Sequence, residues 1–278
     1  MTIDVPPQSI RDSVTQALAE DVGTGDITAE LIPKSTRAQG RLIAREAGVL
    51  CGCQWVDQSF LELDAHVSIS WQLHDGDSFA AESTLMRISG NARAILTAER
   101  TALNFLQTLS GTATATRALV KTLGTSSCQL LDTRKTLPGL RLAQKYAVRV
   151  GGGTNHRFGL YDAFLIKENH IRSCGGIAAA ITAARSKNRN KRIEVEVQCL
   201  DELETAVAAG ADIVMLDNFS AADLVRAVTL NRGRSKLEAS GGIESGSLAK
   251  IAATGVDYIS VGALTKHCRA MDFSLLLD

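Results

Sequence analysis

From residue 129 onward the chain repeats one pattern, a short β-branched apolar run followed by an amphipathic helical stretch. Apolar runs fall at 129–132, 163–167, 192–198, 212–217, 236–239 and 258–261, and helical patterns at 200–209, 221–230 and 245–254 lie between the later ones. Parallel neighbours cannot be joined by a tight hairpin, so a helix must carry the chain back to the same end each time. That constraint selects βαβ units and a parallel sheet covered by helices. Successive units of this kind without a dinucleotide fingerprint predict a closed or nearly closed α/β barrel. The phrase AVRVGGGTNH (147–156) lacks the G-x-G-x-x-G spacing of a nucleotide-binding turn.

The first half has another rhythm. Residues 10–21 read as an amphipathic helix stopped by Gly23-Thr24-Gly25-Asp26. Short strands are expected at 37–44, 67–73 and 84–90, with turn chemistry at His74-Asp75-Gly76-Asp77. This reads as a small α+β or β-sandwich domain. A long helix over 92–109 follows, given a broad apolar face by Ala98, Ala102, Phe105, Leu106 and Leu109. The boundary is expected at Ser110-Gly111, because 278 residues exceed one ordinary core.

Charge is balanced, 30 Lys+Arg against 30 Asp+Glu, which argues against a general nucleic-acid binder. The balance is locally broken. Between Asp132 and Asp162 there is no acidic residue, yet Arg134, Lys135, Arg141, Lys145, Arg149, His156 and Arg157 all fall there. Such a window suits a ligand with several carboxylates or phosphates; a solvated basic face is the alternative. No apolar run approaches the roughly 20 residues that span a bilayer. The start MTIDVPPQSIRDSV carries no basic-then-apolar leader, so a cytoplasmic protein without membrane attachment is expected. The 6 cysteines form no C-x-x-C pair and read as reduced, packed thiols.

In α/β barrels chemistry sits where strands end and loops begin. Arg134, Lys135, Lys167, Glu196, Asp217, Ser240-Gly241-Gly242 and Gly262 all fall at such ends. Glu194 and Glu196 share a strand face, since side chains alternate. Paired carboxylates there need a cation or a lysine, and Glu194, deeper in its strand, is open to a site role or to one of only orienting a lysine. Glycines after the last two strands allow backbone amides to approach a phosphate, and a helix starting after Gly242 would add its positive end. The rim is therefore expected to hold a phosphate, a second polyanion and Mg²⁺. Arg141, Lys145 and Arg149 repeat charge at helical spacing; Lys145 and Arg149 are expected in solvent, with Arg141 open to either role.

The runs DTRKTLPGLR (132–141), GGGTNHR (151–157), LIKENH (165–170), EVEV (194–197), MLDNF (215–219), ASGGI (239–243) and ISVGALT (259–265) resemble quinolinate phosphoribosyltransferase. So do EDVGTGDIT (20–28) and AERTALNFLQTLSGTAT (98–114), so the resemblance covers nearly the whole chain; it departs at Val150, where cysteine is the family pattern. It implies an amino-terminal α+β sandwich over 1–111 and an irregular, incomplete α/β barrel over 112–278, with the last residues packing back on the first domain. It also implies a homodimer with shared sites, Arg100 reaching across the interface. Arg134, His156, Arg157 and Lys167 would hold the pyridine dicarboxylate, and Lys135 the carboxylate or pyrophosphate. Glu196 and Asp217 would hold the ribose hydroxyls and Mg²⁺, with Ser240, Gly241, Gly242 and Gly262 around the 5′-phosphate. The implied reaction joins quinolinate to phosphoribosyl pyrophosphate in NAD synthesis, with Glu196, Asp217, Lys135 and Lys167 acting catalytically.

Three rivals can be set against this expectation. Transfer to nicotinate would proceed without decarboxylation. A non-catalytic binding protein on the same scaffold would lack some rim charges, and none is missing. A lipoyl-type carrier would need a lysine at a hairpin tip, and 67–90 contains no lysine.

Overall fold

The computed structural model describes residues 5–278, and the first four residues of the amino-terminal stretch lie outside the described residues. In chain order the elements are α1 (Pro7–Val22), β1 (Arg37–Ala44), β2 (Gly48–Val49), α2 (Cys53–Leu63), β3 (Ser68–Trp71), β4 (Ser78–Phe79), β5 (Thr84–Asn91) and α3 (Ala92–Thr122). They continue with β6 (Gln129–Leu131), α4 (Arg141–Val150), β7 (Phe164–Ile166), α5 (Glu168–Cys174), α6 (Ile177–Lys187), β8 (Ile193–Val197), α7 (Leu200–Ala208) and β9 (Ile213–Asp217). The last are α8 (Ala221–Asn231), β10 (Lys236–Ser240), α9 (Leu248–Ala252), β11 (Tyr258–Ser260), α10 (Ala263–Lys266) and β12 (Phe273–Leu277). No described helix is long and apolar enough to cross a membrane. Two compact units result. The first holds the described residues up to Arg117 with Thr136–Gly152 and Leu264–Asp278; the second holds Ala118–Lys135 and Gly153–Ala263.

In the first unit an antiparallel sheet runs β12-β1-β5-β3. Arg37, Gln39 and Arg41 alternate with Gly40 and Leu42 along β1, so one face of the strand is wet and the other dry. Leu42, Leu85, Met86 and Ile88 pack with Ile95, Ala98, Ala102 and Leu106 of α3. Each fully buried Leu, Ile or Met among them contributes about 1.5–3 kcal/mol. Helix α1 turns Ile10, Val14 and Leu18 toward Trp55, Phe105 and Leu109 in a second cluster. Asp75 closes the start of α2, accepting from the amides of Gly52 and Cys53 and from the Tyr146 hydroxyl. Burial first, then the Asp75 charge, pushes the Cys51 and Cys53 thiols up, so both stay protonated.

Two expectations change here. Helix α3 does not stop at Ser110-Gly111 but continues to Thr122. Ser110 uses its hydroxyl to bind the amide and carbonyl of Cys51. Gly111 is small because a Cβ there would collide with the Arg269 carbonyl, its carbon lying 3.1 Å from that Cβ. Both residues answer a packing demand inside a helix, where the sequence suggests a break. Gly111→Ala is therefore expected to destabilise by about 1–3 kcal/mol through overpacking, against the usual gain of a helical alanine. Urea unfolding measures the sign. Lys145 is the second change: it is completely buried rather than solvated, as α4 turns Ala143, Gln144, Lys145, Ala147 and Val148 inward. A long aliphatic stem makes that burial feasible once its ammonium is met by polar groups. Arg141 and Arg149 are half-buried, and Arg141 Nε donates to Thr136 Oγ1 at 3.1 Å.

The second unit is a parallel sheet in the order β6-β11-β10-β9-β8-β7, an incomplete barrel with β6 and β7 at its two ends. Val195, Val197, Val214, Leu216, Leu237 and Ala239 are buried on one face; helices α6 and α7 pack on β8, and α7 also on β9. The register puts Leu165, Glu194, Glu196, Met215 and Glu238 on the opposite face. Lys167, Asp217 and Ser240 follow two residues on, at the carboxyl ends of the same strands. Chain direction and pleat alone thus gather these polar groups.

Candidate active site

The segments after β6 and after α4 supply the inner wall. Thr154 forms a parallel bridge to Leu131, extending the sheet by one residue. Asp132, wholly buried, accepts from the His156 amide at 2.8 Å and from Asn155 Nδ2 at 2.6 Å. His156 is thereby turned inward, with its ring only 7% exposed. Its Nε2 lies 3.0 Å from Glu194 Oε2 and 3.6 Å from Glu238 Oε2, while Nδ1 accepts the Arg157 amide at 2.7 Å. An acceptor nitrogen has no hydrogen, so the ring proton sits on Nε2. Glu194 therefore meets a histidine. His156, Glu194 and Glu238 have donor atoms within 4.8 Å of one another, the spacing of a metal site. The proton on Nε2 removes the lone pair a cation would need, so the cluster reads as a hydrogen-bonded support.

Above this support stand the cations. Arg157 is half-buried, and its Nη1 donates to the Ala163 carbonyl at 3.2 Å. Burial and then the charge of Arg134 hold its pKa below the ordinary guanidinium value, while Glu194 and Asp162 oppose both. Two guanidiniums that repel each other this way form a site preloaded for an anion. Lys167 follows β7 and pairs closely with Glu196, its amide donating to His170 Nδ1 at 3.0 Å. Lys135 is exposed and runs over Gly262, where a Cβ would lie 3.0 Å from the Lys135 Cδ. Asp217 ends β9 half-buried, with Oδ2 accepting from Asn218 Nδ2 at 2.9 Å.

The glycine loop divides its labour. Asn218 is left-handed (φ 58) and donates its amide to the Ser240 carbonyl at 2.9 Å. A Cβ on Gly241 would lie 2.6 Å from Asn218 Cγ and 2.8 Å from its nitrogen, so Gly241 is needed to seat Asn218. Gly242 has open space around it and offers the approachable backbone. The helix expected directly after Gly242 begins only at Leu248, because Glu244–Ser247 closes a turn first; its positive end is displaced from the glycines. Helix α10, by contrast, starts immediately after Gly262.

Within the second unit the structure thus collects Arg134, Lys135, His156, Arg157, Lys167, Glu196, Asp217, Ser240, Gly241, Gly242 and Gly262 on the strand-end loops and concave face. Arg100 lies in the first unit, exposed on α3. Sequence reasoning missed Glu238 and Asn218. Glu238 interrupts an apolar run at the parity of Ser240, and Asn218 directly follows the strand-ending acid; both signals were present.

An incomplete parallel barrel with cations, two acids and one open glycine at its strand ends has the makings of an enzyme that handles anionic substrates. Within that class the chain belongs to the quinolinate phosphoribosyltransferase family. The profile described as "Quinolinate phosphoribosyl transferase, C-terminal domain" matches residues 112–276, and its "N-terminal domain" counterpart matches 26–110. The "Probable nicotinate-nucleotide pyrophosphorylase [carboxylating]" of Bacillus subtilis (strain 168) is 42% identical over 92% of this chain and 89% of its own. The corresponding protein of Mycobacterium leprae (strain TN) is 40% identical over 99% of each chain. The solved nicotinate-nucleotide pyrophosphorylase of Francisella tularensis superposes with a TM-score of 0.96 at 53% identity, covering 99% of this chain and 98% of that one.

Proposed function

We propose that the chain transfers the phosphoribosyl group of phosphoribosyl pyrophosphate to quinolinate. Carbon dioxide is lost, and nicotinate mononucleotide and pyrophosphate are formed. The observation that carries this reading is the clustering of cations beside two partly exposed acids at one set of strand ends, in a chain whose relatives bear that activity in their names. The reaction is assigned to the cytoplasm and to a homodimer, in which Arg100 of a second copy completes the pocket.

Arg134, Arg157 and Lys167 receive the two carboxylates of the pyridine; fork-shaped guanidiniums suit carboxylates best. His156, with both ring nitrogens engaged inside the protein, supports Arg157 rather than binding the acid directly. Ser240, Gly241, Gly242 and Gly262 surround the 5′-phosphate, and Lys135 neutralises the departing pyrophosphate. As the bond from ribose C1 to pyrophosphate breaks, Glu196 and Asp217 hold the ribose hydroxyls and stabilise positive charge on the sugar. The pyridine nitrogen lone pair forms the new bond to C1. The 2-carboxylate then leaves as carbon dioxide, its electron pair remaining on the ring carbon beside the cationic nitrogen until that carbon takes a proton. Two half-buried carboxylates on adjacent strand ends fit Mg²⁺, which binds oxygen, keeps several waters and, when bound, neutralises diphosphate charge.

The test is a turnover assay with Mg²⁺ and phosphoribosyl pyrophosphate, offering quinolinate or nicotinate. Carbon dioxide release from quinolinate and no product from nicotinate are expected. Turnover of nicotinate alone, or binding of quinolinate without turnover, overturns the reading.

A further inference from the structure

Beneath the cationic pocket lies a carboxyl group the mechanism does not use. Glu238 on β10 is 0% exposed, and Glu194 on the same sheet face is 3% exposed. Neither oxygen of Glu238 nor Oε1 of Glu194 meets a donor at full hydrogen-bond geometry, although the Ser260 hydroxyl faces Glu238. Three orphaned acceptors in one dry cluster demand donors. His156 can supply only one, because its Nδ1 is taken by the Arg157 amide and its Nε2 hydrogen points to Glu194 Oε2.

We propose that Glu238 is a positioning residue for the pyridine carboxylates, closing a chain Glu238–Glu194–His156–Arg157 that fixes Arg157 from below. The inference rests on the functional reading above. A proton on Glu238 provides the missing donor and is directed at Glu194. Glu194 then accepts from both Glu238 and His156, and its negative charge offsets the burial and Arg134 repulsion acting on Arg157. The His156 ring in turn holds the Arg157 backbone. The groups facing Glu238 are Glu194 from β8, His156 from the loop after α4, and the Ser260 hydroxyl from β11. Burial, then the Glu194 charge, pushes the Glu238 carboxyl up to about 8, so the chain is intact at neutral pH and loses its donor above that value.

The experiment compares steady-state kinetics of wild type, Glu238→Gln and Glu238→Ala for both substrates across pH 7 to 9. The amide of Gln still donates to Glu194, so it retains most of the quinolinate affinity. Ala removes the donor and raises KM for quinolinate about tenfold, the order expected for one buried hydrogen bond to a charged group. KM for phosphoribosyl pyrophosphate stays nearly constant in both. The wild-type KM for quinolinate rises as pH passes the Glu238 value, and Glu238→Gln flattens that rise. Equal impairment of the Gln and Ala variants overturns the proposal, as does a parallel rise in both KM values. Should Glu238→Ala fail to fold, the pH profile decides alone: persistence of the rise in Glu238→Gln overturns it. Wild-type protein that fails to turn over quinolinate sinks the functional reading instead, so the two failures are distinguishable.

Discussion

Glu196→Ala is expected to lower kcat by about 10²–10³-fold, the range seen when one preorganised electrostatic partner of a transition state is removed. The reason is positional. Glu196 is the last inward-facing residue of β8, where the pleat delivers it to the strand-end rim, level with Met215 and two residues above Glu194. On the proposed reading its carboxylate faces the ribose as positive charge develops there, and Lys167 pairs with it. Because the Lys167 side chain is 46% exposed, that ion pair contributes only about 0–1 kcal/mol to folding. Thermal melting should thus scarcely change while kcat collapses. A large loss of Tm with proportionate loss of active protein would instead make Glu196 a structural residue.

Arg157→Ala should weaken quinolinate binding by roughly 10- to 150-fold, equivalent to about 1.5–3 kcal/mol for a lost charge-assisted hydrogen bond. Removing one of two mutually repelling guanidiniums also relieves strain, so the lower half of that range is the better expectation. Arg157→Lys should not restore the affinity, since an ammonium cannot reproduce the two-pronged contact. Binding of phosphoribosyl pyrophosphate should be largely preserved. Titration of each substrate separately checks both statements; equal losses for the two would place Arg157 outside the pyridine pocket.

Most of this site was legible because a barrel strand has only two faces and one carboxyl end. Once 192–198 and 212–217 read as strands, Glu196 and Asp217 had to meet at the rim. The same parity argument applied to 236–239 would have found Glu238, but an acid inside an apolar run is easily taken as a solvent-facing exception. What stayed hidden depended on contacts from distant sequence. Gly111 looks like a helix end until the chain around Arg269 is seen passing against it. Lys145 looks like one charge in a solvated stripe until α4 is found with that side inward. His156 gives no hint in sequence that the Asp132 carboxylate holds its backbone and that its ring meets Glu194. Periodicity reports which residues share a face; it does not report what presses on that face.

The pairing of β12 with β1 joins Leu276 to Arg41, across nearly the full span of the chain. A ribosome producing this protein must therefore deliver every strand of the parallel sheet before the amino-terminal sheet gains its last member. Throughout that interval β1 presents a row of unsatisfied amides and carbonyls, the kind of margin along which nascent chains stick to one another. Two polar guards, Arg37 and Arg41, lie on that strand with their side chains in solvent. Charge at and beside an uncovered strand margin opposes pairing with a second copy, and Phe273–Leu277 closes that margin at Gly40–Ala44.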